Sequence, residues 1–226
     1  MGAGARAHRL DGEALSDRMQ RLAGAINRAL LGITRHWLAL ANTVMGLVLG
    51  LSFLAPWLML SGHDAAGRLL YLAYRPLCHQ LPERSFFIGG ARPWYGLAEL
   101  NEHLGYLAPA RFLGDAYLGY KSAFCQRDVA IYAGHLLGGL LFGLLRRRVR
   151  VGRWQVFLLV IGLLPIALDG TAQLLGLLES TALRRTVTGL LFGASLVWCA
   201  FPWIDIGMAE AHQIARRSLE AEHAAD

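Results

Sequence analysis

Three short stretches of this sequence carry side chains that can do chemistry. The first is Arg75-Pro76-Leu77-Cys78-His79-Gln80-Leu81-Pro82-Glu83-Arg84-Ser85, which sets a thiol beside an imidazole between two prolines and two arginines. The second is Cys125-Gln126-Arg127-Asp128, at the start of an apolar run. The third is Asp169-Gly170-Thr171-Ala172-Gln173, inside another apolar run. Cysteine, histidine and carboxylate are the ligands of zinc, and they are also nucleophiles and proton carriers. A metal site drawn from Cys78, His79, Cys125 and Asp169 is one reading, with zinc as the cofactor. A catalytic reading takes Asp169, Asp128 and Cys78 as base and nucleophile. No Cys-x-x-Cys or His-Glu-x-x-His spacing is present, so such a site has to be assembled from distant segments. A Cys78–Cys125 disulfide is an equal alternative and requires the same closeness.

The elements that position these groups are membrane spans. Hydrophobic residues make up 55% of the 226 and charged residues only 17%, against ~25% charged in soluble domains. The apolar residues fall in blocks. Leu38 to Leu60 holds 23 residues without a charge, roughly 34 Å of helix for a ~30 Å core. Further spans are expected at 124–145, 154–178 (interrupted by Pro165) and 186–204. The predicted fold is therefore all-α, a four-helix transmembrane bundle. Residues 66–75 are too short to cross and read as a re-entrant or interfacial helix stopped near Pro76. Residues 89–123, with Gly, Pro, Tyr, Trp and mixed charge, read as an ordered interfacial loop with one short helix.

Ahead of the first span, residues 1–12 read as disordered. Leu15, Met19, Leu22, Ile26, Leu30, Ile33 and Trp37 then recur at helical spacing, with Arg21, Arg28 and Arg35 on another face. Segment 1–37 is thus expected to include a basic amphipathic helix, lying on the membrane surface or packed on a partner. Segment 205–226 is a polar tail with a short helix. No signal peptide is read here, since charges run through residues 1–37.

Orientation follows from arginine. Arg146, Arg147, Arg148, Arg150 and Arg153 crowd one short loop, and six more arginines precede the first span. Such loops stay in the cytoplasm. Both termini are therefore expected to be cytoplasmic, in a multi-pass protein of the plasma membrane. The three chemical stretches then reach one depth near the outer surface, because Asp169 lies 16 residues after Arg153, roughly 24 Å along a helix.

Each polar residue has a structural reading beside the functional one. A carboxylate within a span costs a few kcal/mol, so Asp169 needs a partner such as Arg127, Arg184 or Arg185. Gln173 lies one turn on, on the same face. Cys125, Asp128, Tyr132 and His135 share one helical stripe; Asp128 also suits a helix N-terminus, and His135 a bond to a neighbouring helix. Arg84, Arg127, Gln173 and Arg185 could bind an anionic ligand, membrane lipid being the economical choice. Cys199 reads as packing. The net charge of +6 is spread over span flanks, with no aromatic-interleaved basic patch for nucleic acid. Gly134-xxx-Gly138, Gly139-xxx-Gly143 and Gly189-xxx-Gly193 offer faces for helix packing, including a homo-oligomer or a membrane partner.

Cys78-His79-Gln80, Arg84-Ser85-Phe86-Phe87, Cys125-x-Arg127, Ile131-Tyr132-x-Gly134, Pro165, Asp169-Gly170-x-x-Gln173 and Arg185-x-x-Thr188-Gly189 occur in this order. Together they resemble the membrane family catalogued as domain of unknown function 2085, over roughly Tyr74 to Ile204. The resemblance implies a polytopic membrane protein and no assigned activity. Many members carry Cys-x-Arg-Cys where this chain has Asp128, which disfavours a three-thiolate site and permits a mixed Cys/Asp one. Residues 89–123 look like an insertion. Three functions remain open at this point: metal-dependent chemistry at the outer leaflet, a non-catalytic subunit or assembly factor held by a polar clasp or disulfide, and an ion or small-solute carrier.

Overall fold

A computed structural model describes the backbone of residues 3–225 and the side chains of residues 18–221. Helix α1 runs from Ala3 to Leu60, α2 from Asp64 to Tyr74, α3 from Leu97 to Leu104, α4 from Gln126 to Leu145, α5 from Trp154 to Leu174 and α6 from Ala182 to Ala225. Three short strands, β1 (Ser85–Gly89), β2 (Gly114–Asp115) and β3 (Gly119–Cys125), lie between α2 and α4. Four helices, α1, α4, α5 and α6, are long and apolar enough to cross a membrane.

Burial shows what solvent these helices are built for. Only 11 to 33% of each apolar window is covered by protein. Leu137, Leu144, Phe157, Leu168 and Leu174 are all more than half exposed. Each would lose ~1.5–3 kcal/mol in water, so acyl chains must cover them.

The chain divides into two compact units, one formed by residues up to Leu40 with those from Trp203 onward, the other by Ala41–Pro202. In the first, Thr34 Oγ1 meets His212 Nδ1 at 3.0 Å and the Trp37 indole donates to Asp205 Oδ1 at 3.1 Å. The amphipathic stripe there is exposed at Met19, Leu22, Ile26, Leu30 and Ile33.

In the second unit α4 and α6 run parallel in close contact. A Cβ at Gly134 would stand 2.5 Å from the Leu190 carbonyl oxygen, and one at Gly193 only 2.1 Å from that of Ile131. Small residues let the two backbones touch. The Gly134-xxx-Gly138 and Gly189-xxx-Gly193 pairs therefore face each other within the chain, whereas a Cβ at Gly139 would meet Asn42 of α1.

Four local expectations need correction. Helix α1 begins at Ala3, where the composition suggests disorder, and the tail is a continuation of α6. Helix α5 passes through Pro165 unbroken, as spans tolerate proline where neighbours satisfy the freed carbonyl. Residues 85–125 hold a sheet of order β1-β3-β2, antiparallel throughout, as well as the single helix expected there. We call residues 61–125 the cap. Its own core is Phe87, Tyr95, Leu100 and Leu118, and a second core joins it to the spans through Tyr71, Tyr74, Phe124 and Val129.

Candidate thiol and carboxylate site at the start of the second span

Four consecutive residues organise this site. Strand β3 ends on Cys125, which is also the N-cap of α4, so the sheet feeds into the span without a linker. Antiparallel pairing sets Ser85 opposite Cys125 and draws the 78–85 stretch onto the start of α4. Helical geometry then turns residues 125 to 128 toward different neighbours.

Cys125 and Asp128 form the first group. The Cys125 amide donates to Cys78 Sγ at 3.2 Å, and Cys125 Sγ lies 3.2 Å from Asp128 Oδ2. One ligand atom from each of Cys78, Cys125 and Asp128 lies within 4.8 Å of the others. Cys78 is buried and the other two are half-buried. All three cysteines are free. Hydrogen bonding from Cys125 pulls the Cys78 thiol below its ordinary range, helped by the Gln80 amide and opposed by burial and by Asp128. Bonding to Cys78, burial and the Asp128 charge push the Cys125 thiol up. Asp128, in the first turn of α4, also lies where the helix dipole favours an anion.

Arg127 forms the second group, a clasp to α5. Its Nη2 donates to Asp169 Oδ2 at 2.5 Å and reaches Gln173 Oε1 at 3.5 Å, while Ser180 Oγ donates to the same Asp169 oxygen at 2.8 Å. The Asp169 side chain is 10% exposed. The Arg127 Nε is buried without a hydrogen-bond partner.

Gln126 forms the third. It is fully buried; its Nε2 donates to the Ser85 carbonyl at 3.1 Å and its Oε1 accepts from Arg185 Nη1 at 3.1 Å. Arg185 Nη1 also reaches the Glu83 carbonyl at 3.4 Å. This group ties α6, α4 and the cap.

The remaining candidates lie elsewhere. His79 leaves the thiol group and lines a cleft with Arg68, Arg75 and Arg111. Arg84 pairs loosely with its neighbour Glu83 at 3.8 Å. His135 turns back to the Ile131 carbonyl of its own helix, and Tyr132 stacks on Phe124. Among the four residues considered for a metal, the structure thus brings Cys78 and Cys125 together and places Asp128 beside them. His79 and Asp169 belong to other groups.

Sequence reasoning passes over Gln126, Ser180 and Lys121. Gln126 sits inside the Cys-Gln-Arg-Asp stretch and is the only one with a local signal. Lys121 is fully buried in β3, donating to the carbonyls of Gln80 and, at 2.9 Å, Ala110. Burial lowers its pKa to about 8. Gln80 is the hinge of this corner: it has a left-handed φ of 53°, and its side chain donates to the Tyr71 carbonyl at 2.8 Å. The Tyr71 hydroxyl donates to the Lys121 carbonyl.

This fold, with apolar helices and buried polar clasps, is that of an integral α-helical membrane protein. The chain belongs to the family described as Predicted membrane protein (DUF2085), whose model matches residues 116–199. It is 30% identical, over 155 residues, to the uncharacterized protein MJ1492 of Methanocaldococcus jannaschii; the match covers 66% of this chain and 81% of that protein. No solved structure matches the chain.

Proposed function

We propose that this protein binds a transition metal, zinc by ligand chemistry, through Cys78, Cys125 and Asp128 at the extracytoplasmic face of the plasma membrane. The convergence of two sulfurs and a carboxylate oxygen within 4.8 Å carries the reading. Tetrahedral zinc with bonds near 2.3 Å to sulfur and 2.1 Å to oxygen sets its ligand atoms roughly 3.5–3.8 Å apart. That spacing lies between the 3.2 Å from Cys125 Sγ to Asp128 Oδ2 and the 4.8 Å that bounds the group. Three protein ligands leave a fourth position for water or substrate, the arrangement of catalytic zinc sites. An anionic lipid or small anion could occupy that position, with Arg185, which acts electrostatically on Cys125, as the near cation. Facing follows from the arginine-dense loop Arg146–Arg153 at the other end of α4, which favours retention in the cytoplasm.

Zinc content of the purified, thiol-reduced chain tests this. About one zinc per chain is expected, lost in Cys78→Ala, Cys125→Ala and Asp128→Asn and kept in Cys199→Ala. Zinc-free protein after reconstitution sinks the reading.

A second reading has its own observation. The Arg127–Asp169–Ser180 and Gln126–Arg185 groups are joined internally, as in a structural clasp. With Cys78 and Cys125 bridged, the protein is then a non-catalytic subunit or assembly factor. Counting thiols in protein purified without reductant separates the two: one free thiol supports the bridge, three support the metal site. Flux through proteoliposomes that is abolished by Asp169→Asn would instead favour a carrier.

A further inference from the structure

A cleft of about 420 Å³ opens beside the cap's first helix, and neither Cys78, Cys125 nor Asp128 is among the residues that line it. Arg68, Tyr71 and Leu72 line it from α2 and Arg75 from its C-cap, at spacings of three, one and three that put them on one helical stripe. His79 and Arg111 complete the wall. Arg68, Arg75 and Arg111 are exposed, and among the described residues none of them has an ion pair or a side-chain hydrogen bond. Among the described residues no carboxylate lines the cleft. Asp64 borders a neighbouring hollow that shares Arg68 and Arg111, leaving an excess of positive charge. Behind the wall, Lys121 Nζ holds the carbonyls of Gln80 and Ala110, two further lining residues, so the rim is braced from inside.

Three unpaired guanidinium groups around one concavity repel each other at modest dielectric. They also present planar donor forks matched to phosphate oxygens. The volume falls in the range of small-ligand sites. Exposed Leu69 and Leu72, both more than half accessible, flank the arginines on α2. That helix begins four residues after the end of the first span, where apolar side chains meet acyl chains and arginines meet head groups.

We propose that this cleft is a binding site for a phosphate group, held by Arg68, Arg75 and Arg111 with His79 as a further donor. The site is independent of the metal reading, and none of its three arginines is a partner in the clasps around α4. A phospholipid head group and a soluble phosphate offer the same oxygens; Leu69 and Leu72 favour the lipid.

Thermal unfolding of the full chain in uncharged detergent is followed with added phosphatidylglycerol, phosphatidylcholine or inorganic phosphate. Wild type is expected to be stabilised by phosphatidylglycerol well above phosphatidylcholine. Arg75→Gln/Arg111→Gln should weaken that response by about tenfold or more, the scale of losing charge-assisted bonds. Arg146→Gln/Arg147→Gln removes the same charge at the far end of α4 and should respond as wild type does. If inorganic phosphate reproduces and competes with the effect, the ligand is a soluble anion; if only the lipid acts, it is a head group. A wild type indifferent to both probes overturns the proposal. So does an Arg75/Arg111 variant that matches wild type, or an equal loss in the Arg146/Arg147 variant. Should the cleft variant fail to fold, an arginine-directed dicarbonyl reagent on wild type decides: protection of Arg111 by the active probe is expected, and unaltered labelling overturns the site.

Discussion

The thiol group and the arginine clasp start from the same turn of α4 and differ in how completely they are satisfied. Arg127 and Asp169 are each other's answer: a cation and an anion in direct contact, with Ser180 as an extra donor. Cys78, Cys125 and Asp128 bring two sulfurs and a carboxylate together, and among the described residues no ion pair or side-chain hydrogen bond joins them to a cation. Asp128 and the thiolate form of Cys78 instead repel. A closed pair is what stability in lipid asks for, since an isolated charge there is costly. A carboxylate and two thiols without a direct ionic partner are the donor set on which the proposed zinc site rests. One turn of helix thus holds a closed ion pair and an open cluster of ligand atoms.

The largest effect should come from breaking the closed pair. Asp169→Leu strands the Arg127 charge and is expected to destabilise the protein by about 3–5 kcal/mol, with the Arg127→Met/Asp169→Leu double variant recovering most of the loss. Denaturant titration in detergent measures both. A double variant no better than the singles would mean that the clasp is not a simple pair.

Next is the open group. Zinc at about one hundred times its dissociation constant should stabilise wild type by ~2.7 kcal/mol, read as a rise in melting temperature. Cys78→Ala should abolish the rise, and Asp169→Leu should retain it on its lower baseline. Loss of the rise in both would merge the two groups into one.

Lys121 tests the cap that delivers Cys78. Its pKa is about 8 when folded against an ordinary 10.5, so between those values the unfolded chain holds more protons. Stability should therefore rise with pH across that window, by a few kcal/mol at most. Below pH ~10, where tyrosines begin to ionise, the difference between wild type and Lys121→Met should shift steadily in favour of wild type. Near pH 7, Lys121→Met leaves the Gln80 and Ala110 carbonyls without their donor and is expected to cost ~1–3 kcal/mol. A pH-independent difference would show that Lys121 is not the titrating group.

The smallest effect belongs to Arg84. It is half-buried, with 40% of its side chain accessible, and contacts Glu83 only at 3.8 Å, so Arg84→Gln should change stability by no more than about 0.5 kcal/mol. A larger loss would give it a partner outside this chain.

Much of this layout is legible in the amino-acid sequence. The spans follow from length and apolar composition alone, because lipid imposes that pattern on every crossing helix. Asp169 stands out for a related reason: a carboxylate in an apolar run must be answered. Other features leave no such mark. Strand β3 is buried on both faces around Lys121, so it lacks the alternation that announces a strand. The cationic cleft joins one stripe of α2 to His79 and Arg111, and the stripe only gains meaning once Arg111 is folded against it.

Composition and spacing are enough to say that this chain crosses a membrane, which residues are too polar to lie idle there, and which loop is dense in arginine. These are one-dimensional facts, since transfer into lipid is counted residue by residue along a segment. Partnership is settled in three dimensions: Asp128 rather than Asp169 with the thiols, His79 with the arginines of α2, Gln126 between cap and α6. Side chains adjacent in sequence leave a helix in different directions, and the pairing of β1 with β3 chooses which of them Cys78 meets.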